Sequence, residues 1–205
     1  MLDLMKVRFL SFEGPEVDDF RSLRRLPGPL RDTLRAVNGF IAFNGAFHLR
    51  GACTEPRWHA LETVNSGGLA IHKLFGPVRD SDVAFAQDFL GDQFILRGAR
   101  VYRLHAETAQ MENLEMDIEA FFVALQEEPF EILDIEPLDV FQEAGGRLEP
   151  GQLLQAEPPF CLREPDQGMK LTAVSARDRL MRLSELGRQM TLVPDAGLFE
   201  LLGEG

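Results

Sequence analysis

The segment VAFAQDFLGDQFIL, residues 83–96, is typical of a β-hairpin. It predicts two short strands closed by a tight turn at residues 89–91. Phe85 and Phe94 give each strand an aromatic anchor, and Gly91 supplies the backbone freedom that such a turn needs. The segment indicates a fold and carries no obvious chemistry of its own.

Further strand-like segments with short turns flank this hairpin, which predicts an antiparallel meander. The strand candidates lie at residues 40–43, 46–49, 69–75, 83–87, 93–97, 100–104 and 171–174. Apolar spacing and capping residues predict helices at residues 15–25, 30–37, 117–128, 138–144 and 175–190. Together these elements predict an α+β fold in which helices pack on one face of a twisted, mostly antiparallel sheet.

The length of 205 residues suits one large domain or one domain with an appendage. We expect an α+β core at residues 1–129 and a C-terminal extension at residues 130–205 that packs on the same domain. The extension contains a proline-rich arm at residues 149–166 and a final helix. Ser175 and Asp178 form a capping-box-like pair at the start of that helix.

The charge of the chain is regional. Residues 111–168 contain 15 acidic residues and two basic ones, Arg147 and Arg163, so the net charge of this region is 2 − 15 = −13. The net charge of the whole chain is −12, so the rest of the chain carries about +1. A phosphate backbone would be repelled here, which argues against nucleic-acid binding. A basic protein partner would be attracted and steered towards the region. The alternative is a solvated acidic surface that only keeps the protein in solution.

Other features of the sequence bear on the compartment. No apolar run approaches the roughly 20 residues that span a bilayer, which predicts no membrane association. The N-terminus has acidic residues among its apolar ones and does not resemble a signal peptide, so we expect a cytoplasmic protein. Cys53 and Cys161 are far apart and lack metal-ligand spacing, and both are interpreted as free thiols.

Three runs resemble the SUKH superfamily, which includes the yeast cell-wall-synthesis regulator and many bacterial immunity proteins. They are LPGPLRDTLRAVNGF (residues 26–40), PRWHAL (residues 56–61) and FAQDFLGDQFIL (residues 85–96). IEAFFVAL, residues 118–125, occupies the place of that family's helix. The resemblance covers residues 15–129. It implies an α+β fold and a protein that binds other proteins, often to neutralise a secreted toxin. A related group of secretion-system immunity proteins shares this layout.

The sequence contains no strong enzyme motif. His48, His59, His72 and His105 have none of the spacings of a zinc-binding helix, and neither a Gly-x-Ser-x-Gly elbow nor a P-loop occurs. We therefore expect no metal, no cofactor and no catalytic residues. One enzymatic alternative stays open, a small hydrolase that uses Cys53 with His59 as its base, because both lie in one loop region.

Asp88 and Asp92 flank the predicted hairpin turn. A calcium loop needs more oxygen ligands at closer spacing, and Phe89 and Leu90 do not fit one. We expect the Asp88 carboxylate to accept hydrogen bonds from turn amides and Asp92 to lie in solvent.

These observations predict a non-enzymatic protein-binding module. By its resemblance we expect it to be an immunity protein that neutralises a basic toxin domain by occlusion. The predicted contacts combine the edge of the loops with an acidic helix face: Trp58, Asp88, Asp92, Glu115, Glu119, Glu127 and Glu128. The alternative is a cytoplasmic regulatory or scaffold protein that binds a housekeeping partner by adding a strand to an exposed sheet edge.

Overall fold

Within residues 9–164 and 167–192, which are those that the computed structural model describes, seven strands form one antiparallel sheet. Each strand pairs with its neighbours along the chain, so the sheet is the predicted meander. The strands are β1 (Phe12–Glu13), β2 (Phe40–Ala42), β3 (Phe47–Leu49), β4 (Val83–Asp88), β5 (Gln93–Arg97), β6 (Arg100–His105) and β7 (Gln110–Asn113). A separate antiparallel pair is formed by β8 (Gln152–Glu157) and β9 (Lys170–Ser175).

Eight α-helices occur in these described ranges. They are α1 (Phe20–Arg25), α2 (Gly28–Ala36), α3 (Leu61–Asn65), α4 (Ile71–Leu74), α5 (Ile118–Glu127), α6 (Pro129–Ile132), α7 (Glu136–Glu143) and α8 (Ala176–Leu192). The predicted α+β class with a mostly antiparallel sheet is confirmed. None of the described helices is long and apolar enough to cross a membrane.

The predicted hairpin is present as β4 and β5. Gln87 lies opposite Gln93 across the pair, and the register shifts at Phe85, where β4 has a bulge. Gly91 in the turn has φ +99°, a backbone conformation that side chains rarely adopt. A Cβ atom at Gly91 would also lie 2.6 Å from Cδ1 of Leu183 in α8. The turn therefore favours glycine here, and a larger residue would also displace the end of the Leu183 side chain.

Helices cover both faces of the sheet, whereas the sequence pattern predicts one covered face. Along β5, Phe94 and Leu96 belong to one apolar core and Ile95 to a second. Because alternate strand residues point to opposite faces, these cores lie on the two sides of the sheet. Phe121 of α5 packs 5.0 Å from Phe94 between ring centroids in the first core, and Leu183 of α8 belongs to the second. The reason is that residues 94–96 of β5 form a continuous apolar run, which is typical of a strand buried on both faces.

The strand predicted at residues 69–75 is wrong, because this segment contains α4. Ile71 and Phe75 are both buried and stand four residues apart, the spacing at which a helix presents two side chains on one side. A short apolar run does not by itself distinguish a buried helix from a strand.

The C-terminal extension packs against the rest of the chain over its described part. The backbone N–H of Leu154 in β8 donates to the carbonyl of Phe89 in the hairpin turn at 2.7 Å. Leu133, Leu138 and Leu154 belong to the apolar core that contains Phe94 and Leu96, which we call the main core. Residues 1–8 of the predicted core, and residues 165–166 and 193–205 of the predicted extension, lie outside the described residues. The boundary at residue 129 stays a prediction.

Asp117 caps α5, the helix that carries four of the main-core side chains. Its Oδ1 accepts hydrogen bonds from the backbone N–H groups of Glu119 at 3.1 Å and Ala120 at 2.9 Å. We expect Asp117→Ala to lower the free energy of unfolding by about 1 kcal/mol, because it leaves these donors without the cap. Urea unfolding would measure the loss. The control is Asp134→Ala, which removes an exposed carboxylate, and equal losses in both variants would contradict the capping role.

Candidate functional site

The outer side of α5 carries exposed acidic and apolar residues. The helix buries Ile118, Phe121, Phe122 and Leu125 towards the sheet. Glu119, Val123 and Glu127 are spaced by four residues, so they form one stripe on its opposite side. We call this stripe and the residues that follow it the acidic face, which comprises Glu119, Val123, Glu127, Glu128, Phe130 and Glu131.

The acidic face lies in a region without compensating positive charge. Residues 112–143 contain eleven acidic residues and no lysine, arginine or histidine. Among the described residues, the four glutamates of the acidic face form no ion pair. All four are exposed. The face therefore presents a local negative potential to any approaching molecule.

Two apolar side chains interrupt this charge. Phe130 in α6 is 69% exposed and Val123 in α5 is 45% exposed. The acidic face therefore combines exposed carboxylates with an exposed aromatic side chain.

Glu115 lies just before α5, in the turn that follows β7. Its backbone N–H donates to Oδ1 of Asn113 at 3.0 Å, and its carbonyl accepts from Nη1 of Arg100 at 2.9 Å. The Glu115 side chain is exposed. Of the predicted contacts, the structure therefore places Glu119 and Glu127 on one stripe, with Glu128 and Glu115 beyond its two ends.

Asp88 is a structural residue of the hairpin turn. Its side chain is 1% exposed, and Oδ1 accepts from the backbone N–H groups of Leu90, Gly91 and Asp92 at 2.9, 2.9 and 3.0 Å. Oδ2 accepts from Nη2 of Arg103 at 2.9 Å. The predicted bonding to turn amides is confirmed. The structure removes Asp88 from the candidate contacts, because a buried carboxylate with four donors has nothing to offer a partner.

Asp92 is held by ion pairs rather than by solvent, which corrects its predicted exposure. Its side chain is 14% exposed, and Oδ2 lies 3.0 Å from Nε of Arg103 and 3.3 Å from Nδ1 of His105. Burial acts to raise the pKa of Asp92, but the hydrogen bond from His105 and the charge of Arg103 hold it below its ordinary value. The same contact with Asp92 raises the pKa of His105. The ion pairs of Asp92 therefore link β6 to the hairpin turn.

Trp58 lies away from the acidic face. The half-buried indole packs 4.8 Å from Phe12 and 5.3 Å from His48 between ring centroids. In β3, Phe47 points to the face where Phe121 of α5 packs, so its neighbour His48 points to the opposite face. The structure therefore does not bring Trp58 together with the predicted glutamates.

A buried histidine pair lies beside Trp58, and sequence reasoning missed it. Nε2 of His59 is 2.8 Å from the carbonyl oxygen of Asn38, and its Nδ1 is 2.8 Å from Nε2 of His48. Nδ1 of His48 is 3.3 Å from Nε2 of Gln87. One set of neutral tautomers satisfies all three contacts: His59 donates to Asn38, His48 donates to His59, and Gln87 donates to His48. Burial lowers the pKa of His59 to about 4 and the pKa of His48 well below its ordinary value.

Asn38, His59, His48 and Gln87 thus form a series of hydrogen-bonded residues, which we call the buried polar chain. It continues to Arg50, which is 1% exposed. Its Nη2 donates to Oε1 of Gln87 at 2.6 Å and Oε1 of Gln93 at 2.7 Å. Its Nη1 donates to the carbonyls of Ala84 at 3.4 Å and Ala86 at 3.2 Å, on the two sides of the β4 bulge. The Gln87–Gln93 pair could be inferred from the hairpin, whereas Arg50, which directly follows β3, has no local signal in the sequence.

The Cys53–His59 nucleophile hypothesis gains no support from this geometry. Both ring nitrogens of His59 are engaged, one with His48 and one with Asn38. Burial and nearby carboxylates raise the pKa of the Cys53 thiol to about 11, which opposes formation of the reactive thiolate. Within the described part of the chain, no group of three or more His, Cys, Asp or Glu residues could hold a metal ion.

No protein-family model matches this chain, and no curated protein matches it. Its fold is similar to that of a solved structure, Atu4351 from Agrobacterium tumefaciens. The two have a TM-score of 0.58 and 13% sequence identity, and the alignment covers 86% of this chain and 85% of that chain. At this identity the similarity establishes a shared fold and says nothing about partners.

Proposed function

We propose that this chain is a SUKH-type protein-binding module that neutralises a cognate bacterial toxin by occlusion. In this proposal the acidic face docks on a basic surface of the toxin and covers its active site. The protein acts without chemistry of its own, in the cytoplasm of the producing cell, where Cys53 and Cys161 stay free thiols.

The observation that carries the proposal is the combination of unpaired charge and exposed aromatic surface on α5 and α6. Carboxylates that no described residue neutralises would attract a basic partner over a distance and favour its correct orientation. Phe130 would then supply apolar contact area at the centre of the interface. The resemblance of residues 26–40, 56–61 and 85–96 to SUKH proteins supports the class of partner.

We expect the triple reversal Glu119→Lys, Glu127→Lys and Glu128→Lys to weaken binding at least about tenfold, because it replaces attraction by repulsion. The partner is the toxin encoded beside this gene, purified in an inactive form. Titration calorimetry or surface plasmon resonance would measure Kd at several salt concentrations. The loss should shrink as salt rises, because exposed charges are screened.

The matched control is the triple reversal Glu13→Lys, Glu16→Lys and Asp80→Lys. These acidic residues are exposed and lie outside the acidic face, and their reversal changes the net charge by the same amount. If both triple variants lose the same affinity, only net charge matters and the acidic face is not the interface. If neither loses affinity, the surface assignment is wrong.

A second comparison tests the apolar part of the surface. Phe130→Ala should weaken binding to the toxin, whereas Phe20→Ala, which removes a phenylalanine that is 58% exposed on α1, should leave Kd unchanged. Equal effects of the two substitutions would contradict a local role for Phe130.

A specific observation also favours the scaffold alternative. Among the described strands, β7 lies at one edge of the sheet and pairs with β6 alone, and three of its four residues are exposed. A housekeeping partner could add a strand there. Such a complex would survive reversal of the acidic face, and the gene neighbourhood would lack a secreted toxin.

A further inference from the structure

Arg50 is a buried cation whose charge is not neutralised by any described side chain. Its two Nη atoms donate to four neutral oxygens, those of two glutamine side chains and two backbone carbonyls. Its Nε has no hydrogen-bond partner among the described residues. Burial lowers the pKa of Arg50 to about 9, so the guanidinium is still charged at neutral pH. Buried charges in proteins are usually paired, and none of the described side chains supplies the opposite charge to Arg50.

Arg50 lines a cavity of about 480 Å³ between the sheet and the start of α8. This volume is in the range of small-molecule sites. The cavity is open to solvent, and two exposed arginines, Arg57 and Arg177, also line it. No acidic side chain is among its described lining residues, in a chain whose net charge is −12.

The remaining walls are suited to an organic molecule. Trp58, Val64, Leu69 and Leu180 provide aromatic and aliphatic surface. Ala176 and Arg177 are the first residues of α8, a helix of 17 residues whose N-terminus adds positive potential. Ser175 and Asp178 cap this helix: the Asp178 N–H donates to Oγ of Ser175 at 3.1 Å, and that hydroxyl donates to Oδ2 of Asp178 at 2.7 Å.

We propose that this cavity binds a small organic anion, a carboxylate or phosphate ester with a planar apolar body. The anionic group would contact Arg57 and Arg177, with the buried charge of Arg50 adding to the attraction, and the apolar body would lie against Trp58. This site lies on the face of the sheet opposite α5, so the inference is independent of the proposed toxin-binding function.

The chain carries its own reporter for this site. Trp58 is the only tryptophan in the sequence, and it lines the cavity. The probes are benzoate and phenyl phosphate, with benzamide and benzyl alcohol as neutral counterparts, each titrated into the full chain. We expect a saturable change in Trp58 fluorescence and a rise in Tm with an anionic probe below about 10 mM, and none with its neutral counterpart. The stronger of the two anions identifies the preferred group.

The variants locate the binding. Arg177→Gln should weaken the binding of the anionic probe about fivefold, because one charge-assisted contact is lost. Arg24→Gln, which removes an exposed arginine on α1, should leave the affinity unchanged. Arg50→Gln should abolish binding. If that variant does not fold, Arg57→Gln takes its place, with the same loss expected as for Arg177→Gln.

Three results would overturn the proposal. The first is no saturable fluorescence change with either anion. The second is equal binding of anions and neutral counterparts, which would indicate an apolar site. The third is an equal effect of Arg177→Gln and Arg24→Gln, which would indicate nonspecific attraction of anions. Loss of toxin binding in acidic-face variants would leave these titrations unaffected.

Discussion

Replacing Asp88 with alanine should lower the free energy of unfolding by about 4 kcal/mol, because it leaves several buried polar groups without partners. The carboxylate accepts three backbone N–H groups of the hairpin turn and pairs with Arg103. It is 1% exposed, so water cannot replace it without opening the turn. Urea unfolding followed by circular dichroism would measure the loss.

Two further variants divide this effect into its parts. Asp88→Asn keeps an oxygen that can accept the turn N–H groups but removes the charge that pairs with Arg103, so its loss should be intermediate. Asp80→Ala removes an exposed carboxylate close to the start of β4 and should cost little. If Asp88→Ala is no more harmful than Asp80→Ala, the turn does not depend on this side chain.

The turn of the hairpin could be predicted because its main determinants lie within one short segment. The Asp88 carboxylate accepts from backbone N–H groups two to four residues away, and Gly91 adopts a positive φ within the turn, so their spacing indicates the turn directly. The cap at Asp117 was predictable for the same reason. The same logic failed for β1 and β7. They are edge strands of two and four residues whose side chains are mostly exposed, so they carry no apolar pattern.

The candidate contacts divide in the same way. The exposed glutamates follow from a local helix pattern and a charge run, and the structure places Glu119 and Glu127 on one stripe. Their grouping with Trp58, Asp88 and Asp92 assumed a shared surface. It failed because the sheet separates Trp58 from α5 and because the aspartates are engaged by Arg103.

The buried polar chain could not be predicted from single segments. Arg50 meets Gln87 and Gln93 across 37 and 43 residues of sequence, and His59 meets Asn38 across 21. Each residue alone reads as an ordinary polar side chain near a strand or loop. The register of β3 against β4 sets His48 opposite Gln87, and that of β4 against β5 sets Gln87 opposite Gln93.

This polar chain makes stability depend on pH through its two histidines. Both are buried as neutral imidazoles: burial lowers the pKa of His59 to about 4 and holds the pKa of His48 well below its ordinary value of 6.5. Well above pH 6.5 neither state binds these protons, so they impose no penalty there. As pH falls below that value, the unfolded chain binds protons that the folded chain excludes. The folded state therefore loses stability as pH falls from about 6.5 towards 4.

Between pH 7 and pH 5 the two histidines should together cost about 3 kcal/mol of unfolding free energy. The comparison is with the double variant His48→Gln and His59→Gln, which keeps donors and acceptors but has no imidazole at these positions. His105, whose pKa is raised by Asp92 and by Glu112, and the carboxylates titrate in both proteins, so they cancel in the difference. Urea unfolding at pH 7, 6 and 5 would give the two pH profiles. Parallel profiles would show that the histidines are not held neutral in the folded protein.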